Sequence, residues 1–453
     1  MSIYVAERIR PHCTKKQLNT YTSALGMGFE TTSFLHLKGE IQMHRFPVGF
    51  WNYPSIDSME VSEVKLWADC GMTVTMSPTL PIREDAIKKL QAMLDECTKY
   101  GLRLIIRDPR LSWDGAADDP EGYREKFRVS MREFGHHPAT YGFFVGDEPS
   151  TEKQFRDCKC ALRIQKEEAP HLVGFLNFLP YWPGMEKDIF GGKEFNVWAK
   201  EFTQDSDCQM MSYDCYTQLN PEEEGVDRYF LNLNKFMKAS KAAGIPLWTT
   251  LLSVGHFRYR VPTEDDLRWQ FNTAVACGCK GIHWFFFYGQ NYRNYRGAPI
   301  SPYGEKTIAY DWMKLLHRTF HDNHASLMSA LTHKETYHTY KAYGEYELFH
   351  ENAHATIKTM ESQHNVPGII SFFEDENGKE YIAIVNNSPF ESDLFTLSIS
   401  KQVSRVFLIH QNGEYEEDMR ISHHDAIFEE TDSSIRAGVY LAPGQMEIFR
   451  LEV

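Results

Sequence analysis

Short apolar runs alternate with amphipathic helical stretches from Phe46 to about residue 333, at intervals of roughly 25 to 40 residues. Each apolar run predicts a strand that is buried on both faces. The eight runs are Phe46–Trp51, Met72–Met76, Leu102–Arg107, Tyr141–Val145, His171–Phe178, Gln209–Tyr216, Ile245–Ser253 and Gly281–Tyr288. Eight strands alternating with helices predict the α/β class and a (β/α)8 TIM barrel over residues 45–333.

The stretches between the runs carry helix signals. In residues 84–100 the apolar side chains recur at helical spacing, with Leu90 and Leu94 on one stripe and Lys88 outside it. Thr263 followed three residues later by Asp266 resembles a capping box and predicts the start of another helix.

The pattern changes at about residue 334, where helical periodicity fades and β-branched runs appear around turn residues. Ile369–Phe373 and Tyr381–Val385 flank Asn377-Gly378, which indicates a hairpin. We therefore predict that residues 334–453 form a small antiparallel β-sandwich. Residues 1–44 are mixed in character, and we expect this N-terminal segment to pack on the C-terminal sheet.

Composition and charge exclude several classes of binding partner and indicate the cellular compartment. The net charge of −14 argues against nucleic acid and against anionic membrane surfaces. No Gly-x-Gly-x-x-Gly turn after a strand, no Walker loop and no His-x-His or His-Glu-x-x-His motif is present, so we expect no cofactor and no metal. The nine cysteines are scattered, and the N-terminus lacks the apolar segment of a signal peptide. We expect a cytoplasmic protein; its assembly into a homo-oligomer stays open.

Polar and aromatic side chains follow the predicted strands, and this end of a barrel carries the chemistry. The candidates are Trp51, Asn52, Arg107, Asp108, Asp147, Glu148, Asn177, Asp214, Tyr216, His256, Trp284 and Tyr288. Carboxylates and amides bind hydroxyl groups, and aromatic rings stack on the apolar faces of sugars. The set therefore favours a carbohydrate substrate, although aromatic residues at such positions also serve as core.

The segment His137-Pro-Ala-Thr-Tyr-Gly-Phe-Phe-Val-Gly-Asp147-Glu148-Pro149 resembles the glycoside hydrolase superfamily of (β/α)8 barrels, in which a catalytic Glu follows strand four. It is especially similar to bacterial members with an Asp-Glu-Pro turn. Tyr213-Asp214-x-Tyr216 and the segment from Arg260 to Arg268 match that group as well. The resemblance implies that Glu148 is the proton donor and that the reaction uses a second carboxylate.

The chain departs from this pattern at strand seven, where retaining members carry a nucleophilic Glu. Residues 248–256 contain no acid. We expect Asp214 to be the second catalytic carboxylate, with Asp108 and Asp147 as alternatives; Asp147 could instead orient Arg107. Two other hypotheses stay open: a non-catalytic carbohydrate-binding barrel, and a barrel lyase or isomerase that pairs an acid with His256.

Overall fold

The computed structural model describes residues 45–222, 224–421 and 426–453. The expectation for residues 1–44 lies outside these residues. The first eight strands are β1 (Val48–Phe50), β2 (Val74–Met76), β3 (Arg103–Ile106), β4 (Thr140–Asp147), β5 (Val173–Phe178), β6 (Met211–Asp214), β7 (Leu247–Leu252) and β8 (Gly281–Phe285). They form one parallel sheet in the order β1-β8-β7-β6-β5-β4-β3-β2, so all eight predicted strands and the α/β barrel are confirmed.

Side-chain hydroxyls help to hold the two ends of this sheet together. The Thr73 amide donates to the Val48 carbonyl at 2.7 Å, and Thr73 Oγ1 accepts from the Val48 amide at 2.8 Å. Thr75 Oγ1 accepts from the Phe50 amide at 3.1 Å. Gly49 permits this close approach, because a Cβ there would lie 1.8 Å from the Val74 carbonyl oxygen. The sheet is thus nearly a closed barrel.

The helices are α1 (Glu63–Asp69), α2 (Glu84–Tyr100), α3 (Pro120–Ser130), α4 (Glu152–Glu168), α5 (Met185–Asp188), α6 (Phe195–Ser206), α7 (Glu224–Ala243), α8 (Glu264–Ala276), α9 (Ile308–Asn323) and α10 (Ala325–Ala330). Helix α2 has the predicted bounds, and Thr263 and Asp266 form the predicted capping box of α8. Within the described residues, no helix is both long enough and apolar enough to cross a bilayer.

Two β-sheets follow the barrel. The first has the order β10-β9-β12-β13-β19-β15-β16 and consists of β9 (Thr332–His338), β10 (Glu347–Leu348), β12 (Gly368–Glu374), β13 (Glu380–Asn386), β15 (Arg405–His410), β16 (Tyr415–Asp418) and β19 (Met446–Glu452). The second has the order β11-β14-β18-β17 and consists of β11 (Ile357–Ser362), β14 (Asp393–Ser400), β17 (Ala426–Glu430) and β18 (Ser434–Leu441). Apart from the short parallel pair β9–β10, their pairings are antiparallel.

The predicted hairpin is β12–β13, with Ile370 opposite Ile384. Both strands are buried on both faces. One face packs against the second sheet, and the other meets helix α8, where Trp269 Nε1 donates to Asn387 Oδ1 at 2.9 Å. This double burial explains why their sequences are apolar throughout instead of alternating. The division into domains at residues 44/45 and 333/334 stays a prediction.

Candidate active site

A turn at the end of β4 presents the candidate acid Glu148 at the mouth of the barrel. Glu148 adopts φ 51°, a left-handed conformation that is uncommon for a residue with a Cβ. Its amide donates to the Asn177 carbonyl of β5 at 2.8 Å, which fixes the turn to the neighbouring strand. After Pro149, Thr151 and Gln154 form the capping box that begins α4. The turn is therefore anchored on both sides of the acid.

Two carboxyl groups at this mouth, those of Asp147 and Asp214, accept hydrogen bonds from a single amide. Asn177 Nδ2 donates to Asp214 Oδ1 at 2.7 Å and to Asp147 Oδ1 at 3.0 Å. The two acceptor oxygens are therefore separated by at most 5.7 Å, the sum of these distances. Ser212 Oγ donates to Asn177 Oδ1 at 3.1 Å and orients the amide. The structure thus brings together Asp147, Asn177 and Asp214, on three adjacent strands.

The environment raises the pKa of all three acids. Burial raises the pKa of Glu148 to about 7, and the Asp147 charge adds to the shift. Burial also raises the pKa of Asp214 well above its usual range, with Glu148 the next largest cause and Asp147 the third. Asp147 and Glu148 are accessible to solvent, yet protein surrounds enough of each carboxyl for desolvation to dominate. The negative charge of Glu148 therefore contributes to the raised pKa of Asp214.

The three acids differ in the hydrogen bonds that their carboxyl groups accept. Asn177 donates to Asp147 and Asp214, which favours their ionised forms, and the Arg107 charge lowers the pKa of Asp147 further. Within the described part of the chain, no hydrogen bond to the Glu148 carboxyl is present. Of the three acids, Glu148 is therefore the one whose ionised form receives no hydrogen bond from the described residues.

Aromatic rings line the pocket above these acids, whose volume is about 750 Å³. The Tyr216 and Phe285 rings stack with centroids 5.4 Å apart, and Trp51 stacks on Tyr53 at 6.2 Å. The Trp51 indole donates to Thr250 Oγ1 at 3.1 Å, which fixes its ring. The lining residues are Trp51, Tyr53, Asp147, Glu148, Asn177, Pro180, Asp214, Cys215, Tyr216, Thr217, His256, Phe257, Tyr259 and Phe285. Flat rings beside acids and an amide suit a sugar ring.

The predicted residue His256 lines this pocket but is not a cation. Its side chain is 4% exposed, and burial together with the Arg296 charge lowers its pKa to about 4. Its ring lies 5.0 Å from that of Phe285, centroid to centroid. At neutral pH His256 is therefore a neutral aromatic member of the pocket lining.

Two aromatic candidates lie outside the pocket. Trp284 is fully buried, and its indole donates to His317 Nε2 of α9 at 2.9 Å. The Tyr288 hydroxyl donates to Glu63 Oε2 at 2.7 Å, also outside the pocket. Successive side chains on a strand point to opposite faces, so Phe285, the neighbour of Trp284, points inward instead. The sequence of β8 does not alternate between polar and apolar residues, so it did not indicate which side chains point into the barrel.

Asp108 and Asn52 are not among the residues that line the active-site pocket. The Asp108 carboxylate is fully buried and pairs with Arg110 at 2.6 Å; Ser130 also donates to it, and Arg110 also pairs with Glu133. Asn52 is fully buried, and its Nδ2 lies 3.4 Å from the Met76 carbonyl oxygen. The structure thus gives Asp108 ion-pair and hydrogen-bond partners within the protein.

Replacing Arg110 tests whether the buried Asp108 carboxylate depends on its ion pair for the stability of the fold. Arg110→Met leaves a buried carboxylate without its cation, so we expect unfolding free energy to fall by about 3 kcal/mol. Urea denaturation measures the change. Arg83→Met, which removes exposed ion pairs with Asp57 and Asp85, is the matched control and should cost less than about 1 kcal/mol. Equal stability of the two variants would show that the buried pair does not stabilise the fold.

The pocket residues that were not predicted from the sequence include three aromatic ones, Phe257, Tyr259 and Phe285. Phe257 and Tyr259 lie in the loop after β7, where a sequence pattern gives no direction for a side chain. The Phe257 amide donates to Asn294 Oδ1, and Asn294 Nδ2 donates back to the Phe257 carbonyl, both at 2.9 Å. This reciprocal pairing with the loop after β8 holds the 71%-exposed Phe257 ring at the pocket. Among the described residues, no cluster of His, Cys, Asp and Glu has the arrangement of a metal site.

Solved structures share this architecture. A family 39 glycoside hydrolase from the gut symbiont Bacteroides cellulosilyticus is 11% identical, with a TM-score of 0.52 over 91% of this chain and 82% of that chain. A family 5 glycoside hydrolase from Bacteroides vulgatus is 11% identical, with a TM-score of 0.53 over 90% of this chain and 89% of that chain. The chain shares the (β/α)8-barrel fold of these two glycoside hydrolases.

This likeness lies in the fold, since the identities are low. A β-galactosidase from the psychrophilic Marinomonas ef1 is 11% identical to this chain, with a TM-score of 0.47. The match covers 60% of this chain, and this chain spans about three fifths (59%) of that protein's length. No family model and no curated protein matches the chain.

Proposed function

We propose that the protein is a glycoside hydrolase that cleaves a glycosidic bond of an oligosaccharide, with Glu148 as general acid. The observation that carries the proposal is the grouping of Glu148, Asp147 and Asp214 in one aromatic-lined pocket at the strand ends, where burial beside Asp147 raises the pKa of Glu148 to about 7. A carboxyl group with this pKa is protonated to a substantial extent near neutrality and still loses its proton readily. It can therefore protonate the glycosidic oxygen as the bond to the sugar breaks.

Asp214 is the proposed second catalytic carboxylate. The Glu148 charge contributes to its raised pKa, and Asn177 Nδ2 donates to its Oδ1 at 2.7 Å. In its ionised form it either activates water as a base or attacks the anomeric carbon as a nucleophile. The aromatic pair Tyr216 and Phe285 is placed to contact an apolar face of the sugar. Asp214 on β6 would thus take the role of the acid that β7 lacks.

The environment of His256 disfavours the alternative of a lyase or isomerase. A base with a pKa of about 4 abstracts protons poorly at neutral pH. Carbohydrate binding without hydrolysis does not require a protonated Glu148 near a second acid. We therefore keep hydrolysis as the proposal and carbohydrate binding without hydrolysis as the result that would replace it.

The direct test is hydrolysis of a panel of neutral aryl glycosides and of oligosaccharides built from glucose, mannose, xylose and galactose. The proposal expects turnover of at least one member, with loss of activity as pH rises through about 7, where Glu148 loses its proton. Saccharide binding by calorimetry without any turnover would favour the non-catalytic barrel instead.

Asp147 is expected to tune this titration. Its negative charge raises the pKa of Glu148, so Asp147→Asn should lower that pKa and move the alkaline limb of the pH–rate profile to lower pH. Activity below that limb should be largely retained. Initial rates between about pH 4 and 9 measure the shift. Loss of activity at every pH, without a shift, would instead identify Asp147 as the second catalytic carboxylate.

A further inference from the structure

A second cavity adjoins the candidate active site. Its volume is about 750 Å³, and the loops after β2 and β3 form it together with the end of β4. We call it the rim pocket; its principal lining residues are Leu80, Arg107, Ser112, Trp113, Asp114 and Phe144. Asp147 lines both the rim pocket and the active-site pocket. The two cavities therefore meet beside the catalytic acids.

The lining of the rim pocket combines flat apolar surface with hydrogen-bonding groups. Trp113 packs directly against the backbone of Gly146, where a Cβ would lie 2.1 Å from the indole ring. Ser112 and Asp114 are exposed on the loop after β3 and supply polar atoms. A few polar groups in an otherwise apolar concave site are typical of ligand pockets, and this combination suits a sugar.

Arg107 lies where the two cavities meet. Its guanidinium carbon is 5.5 Å from the ring centroids of Tyr53, which lines the active-site pocket, and of Phe144, which lines the rim pocket. One of its nitrogens donates to the Asn52 carbonyl at 2.6 Å. No ion pair of Arg107 occurs within the described residues. Because a guanidinium has five N–H donors, Arg107 keeps donors for the hydroxyl groups of a ligand.

We propose that the substrate is a neutral oligosaccharide chain that extends from the active-site pocket past Asp147 into the rim pocket. The proposal rests on the proposed function and adds to it the class of substrate: a chain that occupies both cavities, in contrast to a single terminal sugar on a small leaving group. Neutral sugars fit because the acids nearby would repel an anionic chain. Catalytic efficiency should therefore rise with chain length until the rim pocket is filled.

Blocking the rim pocket tests this proposal. Ser112→Trp places a large side chain in the pocket without touching the catalytic acids, and Asp114→Trp serves as a second blocking variant. Ser392→Trp, at an exposed position of the C-terminal β-region, is the matched control. The probes are cello-, manno-, xylo- and galacto-oligosaccharides of two to six units, together with the aryl monoglycosides of the same sugars. Circular dichroism and thermal unfolding confirm that each variant folds.

For the wild-type protein we expect kcat/KM to be at least tenfold higher on the six-unit chain than on the disaccharide of the preferred sugar. Either blocking variant should remove that gain and lower kcat/KM on the six-unit chain far more than on the aryl monoglycoside, while Ser392→Trp should behave as wild type. A chain-length gain that survives both blocking variants, or the lack of any gain, would overturn the proposal. Turnover of aryl monoglycosides alone would support hydrolysis and reject the extended oligosaccharide substrate.

Binding separates the two proposals if hydrolysis is absent. Calorimetry on Glu148→Gln should show at least tenfold tighter binding of the six-unit chain than of the disaccharide, and adding Ser112→Trp should abolish the difference. That result without turnover in the wild type would reject the hydrolase and keep the chain-binding groove. Equal affinity for short and long chains, or no binding of any six-unit chain, would reject the groove.

Discussion

Glu148→Gln is expected to reduce kcat/KM on an oligosaccharide by about a hundredfold to ten-thousandfold, the usual contribution of general acid–base catalysis. Glutamine keeps the size of the side chain but cannot give a proton to the glycosidic oxygen. The loss should depend on the leaving group: a dinitrophenyl glycoside, whose leaving phenolate needs no proton, should lose far less. Steady-state rates on both substrates, with circular dichroism to verify folding, measure the effect.

The pH profile gives this prediction a second readout. The alkaline limb near pH 7 should disappear in Glu148→Gln, because the group that titrates there is gone. Glu152→Gln, an exposed glutamate in the first turn of α4, is the matched control and should retain both the rate and the limb. Unchanged oligosaccharide turnover in Glu148→Gln would exclude this residue as the acid.

Asp214→Asn should reduce activity by about a hundredfold to ten-thousandfold on both kinds of substrate. A base or nucleophile acts at the anomeric carbon, so an activated leaving group cannot replace it. The variant keeps an oxygen that can accept from Asn177, and the fold should be retained. It also removes the charge that repels the Glu148 carboxylate, so any residual activity should show its alkaline limb at lower pH.

The contrast between substrates assigns the two roles. Asp207→Asn, an exposed left-handed residue just after α6, is the matched control and should leave the rate unchanged. Recovery of Asp214→Asn on the dinitrophenyl glycoside would mean that Asp214 assists the leaving group, which contradicts its proposed role. A fully active Asp214→Asn would shift the assignment to Asp147.

The barrel could be predicted because parallel strands buried on both faces appear as continuous apolar runs, and all eight were visible. Their ends were less certain, since apolar residues extend past the last hydrogen-bonded pair; the run Gly281–Tyr288 continues three residues beyond β8. The hairpin β12–β13 was visible from its Asn-Gly turn.

The sequence predicts which strand ends lie next to each other, and only the part of the site that follows from this order could be predicted. Residues at the ends of β4, β5 and β6 meet because adjacent parallel strands end at the same edge, which brings Asp147, Asn177 and Asp214 together. The direction of each side chain depends on strand phase and on loops. Trp284 therefore faces α9, and the buried Asp108 carboxylate pairs with Arg110.

The most direct test of the account is the titration of the Glu148 carboxyl itself. Protein labelled with ¹³C at the glutamate side-chain carboxyl carbons can be followed by NMR from about pH 3 to 9, and Glu148→Gln identifies the resonance by its loss. The account predicts a carboxyl that titrates near pH 7 and moves to lower pH in Asp147→Asn. Titration of Glu148 near 4.5, the value of an ordinary glutamate, would contradict the assignment of Glu148 as the proton donor.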